Sequence, residues 1–167
     1  MSNRAMALLE NLGVPVDLTL EPGFGETPSY HPEKPFTGFI PDQRRVPDRP
    51  YRPAQDDFRR PDPAKTSGIW EIPLTTAYLK PRLKFWLKPA LVSANLYLSA
   101  PQIVRVFHTA LAENRGYLSI IVRPDVFLNK NNPRNMDAIF DGLLKHPLAS
   151  RMAFVSPAEA LQMYLAH

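Results

Sequence analysis

Glu71 is the residue with the most chemistry to explain. It interrupts the run Gly68-Ile-Trp-Glu-Ile-Pro-Leu-Thr75, whose Ile69, Trp70, Ile72 and Leu74 have the β-branched and aromatic character of a buried strand. A carboxylate there must be paired, hydrogen-bonded or opened to a cavity, because burying it alone is very costly. Shortly before it stands Arg49-Pro-Tyr-Arg-Pro53, a rigid loop carrying a guanidinium and a phenol. Two further charges, Arg123 and Asp125, follow the apolar run Tyr117–Val122, and Asp17 follows Val16. These residue types suit recognition of a sugar. Arginine binds carboxylate or hydroxyl groups, acids accept hydroxyl hydrogen bonds, and Tyr51 offers a face on which a ring can stack. Two other readings stay open: Arg123 with Glu71 or Asp125 as a structural ion pair, and Tyr51 as a packing residue that holds the loop.

Other chemistries lack their residues. His31, His108, His146 and His167 have no partner at the i+2, i+3 or i+4 spacing of metal ligands on one element. The chain has no cysteine, so disulfides and thiolate sites are excluded. No Gly-x-Ser-x-Gly elbow occurs, and Gly23-Phe-Gly25 is too short for a phosphate loop. The net charge of +4 is scattered rather than gathered into a basic stripe, which argues against a nucleic-acid partner.

The elements that must position these residues alternate. Asn3 can cap a first helix carrying Met6, Leu8, Leu9 and Leu12, with Gly13 closing it. Val14–Leu20 reads as a strand cut early by Pro15. Ten of the nineteen prolines lie between Pro22 and Pro63, so residues 21–67 form a long Pro-rich loop inserted in the domain. Its second part, around Arg49–Pro53, should lie ordered near Glu71, and the part around His31–Asp42 should be the more mobile. Pro81 and Pro89 leave Tyr78–Leu98 ambiguous. Ser99-Ala-Pro-Gln102 and Ser156-Pro-Ala-Glu159 are capping boxes that open helices. Between them come a strand at Tyr117–Val122, a helix from Asn132-Pro133 with Met136, Ile139, Phe140, Leu143 and Leu144 as its stripe, and a short strand at Met152–Val155. This pattern implies one α/β domain over 1–167: a partial (β/α) barrel, or a small parallel sheet with flanking helices.

The same segments resemble the C-terminal half of polysaccharide deacetylases, the metal-dependent carbohydrate esterases. The resemblance rests on Leu8-Leu-Glu-Asn-Leu-Gly-Val-Pro-Val-Asp17, on Arg49–Pro53 followed by Gly68–Thr75, on Ile120-Ile-Val-Arg-Pro124 and on Phe154-Val-Ser-Pro-Ala-Glu159. It implies hydrolysis of acetyl groups on a glycan by a metal-activated water. It also implies that the ligands, an Asp-Asp pair and a His-x-x-x-His motif, belong to an N-terminal half that does not precede Met1; Asp56-Asp57 falls inside the loop. Arg123 stands where the family carries its general-acid histidine, and a guanidinium cannot give up a proton at working pH. The expectation is a chain without its own metal site, with a divalent ion such as zinc only in a completed protein. The alternative is a non-catalytic remnant or glycan-binding module.

The remaining bounds are broader. An apolar fraction of 44% over 167 residues supports a folded core. No stretch reaches the ~20 apolar residues of a membrane helix, and Met1–Glu10 lacks a signal-peptide core, which points to the cytoplasm and away from a membrane partner. A half-barrel leaves a sheet edge open, so a homodimer or a partner subunit that completes the sheet is expected.

Overall fold

A computed structural model describes residues 2–28, 39–80, 88–122 and 132–166. They divide into two compact units, Met1–Pro73 and Leu74–His167. The class is mixed α/β, with helices and three two-stranded sheets, one parallel and two antiparallel. Among the described residues no closed barrel forms.

The first unit begins with helix α1 (Asn3–Asn11). Its N-cap is Ser2 rather than Asn3: the Ser2 hydroxyl accepts from the Ala5 N–H at 3.2 Å. Asn3 is used elsewhere, its side-chain carbonyl accepting from the Phe58 N–H at 3.0 Å. Gly13 follows the helix at φ 70°, a conformation that favours glycine. Strand β1 (Val16–Asp17) then pairs in parallel with β4 (Trp70–Glu71), Val16 opposite Trp70 and Asp17 opposite Glu71. The ladder is short because Pro15 and Pro73 flank it and neither has a backbone donor. Between these strands in the chain, β2 (Thr27–Pro28) and β3 (Phe39–Ile40) form an antiparallel pair.

The proline-rich segment supplies much of this unit's interior. Val46, Tyr51 and Phe58 pack with Met6, Leu20 and Ile69 into one cluster. Full burial of side chains this size contributes about 1.5–3 kcal/mol each. Backbone bonds fix the segment without a regular strand: Ala54 N–H to Arg60 O at 2.8 Å, and Asp62 N–H to Arg52 O at 2.8 Å. Of the stretch expected to be more mobile, residues 31–38 lie outside the described residues.

The second unit contains β5 (Thr76–Leu79), which pairs antiparallel with β6 (Ala90–Ser93). This resolves part of the ambiguous stretch as strand. Tyr117–Val122, expected as a strand, makes a parallel bridge between Asn95 and Ile121 rather than a ladder. Within the same run Ser119 trades side-chain bonds with Thr75: the Thr75 N–H reaches the Ser119 hydroxyl, and the Ser119 N–H the Thr75 hydroxyl, both at 2.9 Å. Side chains here take the place of a ladder. Met152–Val155 likewise has no ladder and follows a single 3-10 turn at Ala149–Arg151.

Helices α2 (Ala100–Ala112) and α4 (Pro157–Leu165) start where their capping residues place them, and α3 (Asn132–Leu144) starts at the Asn132-Pro133 pair. The Ser99 N–H meets the Gln102 side chain at 2.9 Å, and the Ser156 N–H meets Glu159 at 2.8 Å, so each box satisfies a donor at its helix start. α2 buries Ile103, Val106 and Phe107 against Leu79, Leu96, Ile139 and Leu143. Gly142 lets α2 and α3 approach closely, since a Cβ there would sit 3.3 Å from Val104 Cγ2. Of the expected α3 stripe, Ile139 and Leu143 are buried while Leu144 is exposed.

Candidate functional site

The parallel pairing of β1 with β4 brings two acids into register on one face. Asp17 lies opposite Glu71, and on the other side of β4 Tyr51 forms an antiparallel bridge with the same residue. The Tyr51 N–H donates to Glu71 O at 3.0 Å and the Glu71 N–H to Tyr51 O at 2.9 Å. Ile72 N–H and Trp70 N–H point the other way, to Asp17 O and Pro15 O, both at 3.0 Å. Glu71 is therefore the central residue of a three-segment sheet, with Asp17 and Tyr51 as lateral neighbours. Residues paired across a ladder project to the same side, so the two carboxyls and the phenol share it.

This site is closed. Glu71 is 0% exposed, Asp17 8% and Tyr51 5%. Neither carboxyl oxygen of Glu71 has a well-formed hydrogen bond among the described residues. The Asp17 carboxyl acts on Glu71 closely enough to raise its proton affinity, yet the contact falls short of good hydrogen-bond geometry. Asp17 is held by the Thr19 hydroxyl, which donates to it at 2.6 Å. Burial, and then the neighbouring Asp17 charge, push the Glu71 carboxyl up to about 9. Glu71 thus carries a proton at neutral pH. Burial, and then Glu71, also raise the Tyr51 phenol above its ordinary value, so it stays protonated and donates to Phe58 O at 2.7 Å.

The predicted site residues separate. Tyr51 and Glu71 come together, but inside the unit, where the Tyr51 ring packs with Phe58 and Ile69 instead of lining an open groove. Arg49 is exposed. Arg123 and Asp125 lie outside the described residues. Arg52, which with Arg49 was expected to reach an acid, lies instead with its guanidinium 4.6 Å from the centre of the Trp70 ring and donates to the Gly68 carbonyl. Glu10 ties α1 to the start of the run, receiving Lys65 Nζ at 2.5 Å and the Ile69 N–H at 3.2 Å. The signal for the Asp17–Glu71 pair was the parallel register itself, which a single sequence does not display.

The donor set does not fit a catalytic metal. Two carboxyls, one of them protonated and both shielded, meet no histidine, and among the described residues no three His, Asp or Glu side chains gather closely enough to hold an ion. Among those residues no helix is long and apolar enough to cross a membrane. No protein-family model, curated protein or solved structure matches the chain.

Proposed function

We propose that the chain is the substrate-facing half of a polysaccharide deacetylase-like protein. In this reading β1 and β4 belong to a partial (β/α) barrel, and Arg49, Arg52 and Trp70 stand at the edge of a glycan groove. The metal-dependent hydrolysis of acetyl groups then requires residues of a metal-bearing half. One observation supports this: Tyr51 is bonded through its backbone to Glu71, which joins two of the segments on which the resemblance rests, Arg49–Pro53 and Gly68–Thr75. The buried Asp17–Glu71 pair is the framework of that wall and not its reactive group, since a carboxyl with no exposed surface cannot meet a substrate.

The test begins upstream of Met1. A reading frame encoding Asp-Asp at a strand end and then His-x-x-x-His would be expressed with this chain and assayed for acetate release from acetylated chitooligosaccharide. Acetate release that is lost on chelation, and absent from the 167-residue chain alone, is the expected result. No such frame, or no acetate from the joined protein, would remove the enzyme reading. The second reading, a glycan-binding module without hydrolysis, is favoured by the shielding of Glu71.

A further inference from the structure

Strand β5 has a strand partner on one side. It pairs antiparallel with β6, and among the described residues no strand lies along its other edge. In an antiparallel ladder the N–H and C=O of one residue point the same way, toward the partner strand and away from it in alternation. The Ala94 N–H donates to Thr75 O at 2.8 Å, which fixes the phase of that alternation. With Thr76 opposite Ser93, the backbone groups of Ala77 and Leu79 face β6, and those of Thr76, Tyr78 and Lys80 face outward.

Two of these outward carbonyls are already occupied. Arg115, just after α2, donates from Nη1 to Thr76 O at 2.8 Å, and Arg105, on α2, donates from Nη2 to Lys80 O at 2.9 Å. Arg115 is held in place: its side chain is 10% exposed, and its Nε donates to Glu113 Oε2 at 2.7 Å. The two guanidiniums thus bracket Tyr78, whose side chain is 64% exposed. In sequence the strand then runs into Lys80 and Pro81, residue types that discourage pairing at an edge.

We propose that Arg105 and Arg115 are edge guards, filling acceptor positions on the outer edge of β5 and so keeping a second copy of this chain from adding its own β5 there. Leu74–Leu79 is six residues without charge, proline or glycine, the composition of a segment that adds to an open edge. A second β5, run antiparallel about Tyr78, is matched to this edge. It sets Thr76 of each copy opposite Lys80 of the other, and the added ladder needs the same two carbonyls that the guanidiniums hold. The open edge expected of a half-barrel is, at β5, closed by side chains. The inference stands apart from the glycan reading.

The experiment compares the full chain with Arg105→Ala and with the double variant Arg105→Ala/Arg115→Ala. Sedimentation from micromolar to near-millimolar protein reads association, circular dichroism reads the fold, and amide hydrogen exchange reads Tyr78. A symmetric pair would have to break each guard bond twice, so each substitution should raise the self-association constant by at least roughly tenfold. The Tyr78 amide of the variants should exchange more slowly as concentration rises, while in the parent its rate should not depend on concentration. A folded double variant that associates no more tightly than the parent overturns the proposal. So does tighter association that leaves Tyr78 exchange unchanged, because the new contact then lies elsewhere. If the double variant does not fold, Arg105→Ala decides by the same two readings.

Discussion

Replacing Glu71 with glutamine tests the buried acid pair directly. The folded chain holds the Glu71 proton up to about pH 9, whereas the unfolded chain releases it near 4.5. Between those values folding takes up a proton, so stability is complete below about pH 4.5 and falls as pH rises toward 9. Each unit of pH in that window costs about 1.4 kcal/mol. At pH 7, two and a half units above 4.5, the penalty is about 3 kcal/mol, a large share of the roughly 5–15 kcal/mol of an ordinary domain. Glutamine keeps the shape, cannot ionise, and offers an amide donor to Asp17. Glu71→Gln should therefore match the parent at pH 4.5, exceed it by about 3 kcal/mol at pH 7 and by more at pH 9. Urea unfolding at three pH values, followed by circular dichroism, reads the difference, and groups that titrate alike in both proteins cancel. A parent whose stability is level or rises from pH 5 to 9, or a glutamine variant weaker than the parent at pH 9, would refute the assignment of a buried, protonated Glu71.

Three other substitutions probe the framework. Tyr51→Phe removes the donor to the buried Phe58 carbonyl and should cost about 1–3 kcal/mol in denaturant unfolding without altering the pH slope. Gly68→Ala forces a side chain at φ 94° and into the Glu10 carboxylate, breaking the link from Glu10 to Lys65 and Ile69. It should lower stability by about 1–3 kcal/mol, read as a drop in melting temperature, and proteolysis should cut first within the Met1–Pro73 unit. Ile139→Ala empties a fully buried position between α2 and α3 and should cost about 2–5 kcal/mol, with thermal melting as the measure.

What could be read from the chain was local. Ser99 with Gln102 and Ser156 with Glu159 sit three residues apart, so each pair announces a helix start without knowledge of the rest of the fold. Ile139 and Leu143 are likewise legible as one face of α3. Relations across distance were not. Asp17 and Glu71 are 54 residues apart, and only the strand register makes them neighbours. The same holds for His108 and His146, which stand 38 residues apart in the chain and meet only in the fold. Strand length was overestimated because apolar runs such as Val14–Leu20 look continuous while prolines restrict the ladder to two residues. Ser119 and Thr75 show a further reason: side-chain bonds can replace backbone pairing where an apolar run predicts a strand.

The central claim is that the surface next to the Tyr51–Glu71 bridge binds a glycan. The most direct measurement is a titration of the isotopically labelled chain with acetylated chitooligosaccharide, followed through the Trp70 indole N–H and the Arg49 and Arg52 guanidinium signals. The account predicts saturable shifts at all three, reduced when Arg52 is replaced by alanine because the guanidinium stacked on Trp70 is lost. Unmoved Trp70 and arginine signals at millimolar sugar, or shifts confined to α2 and α3, would contradict it.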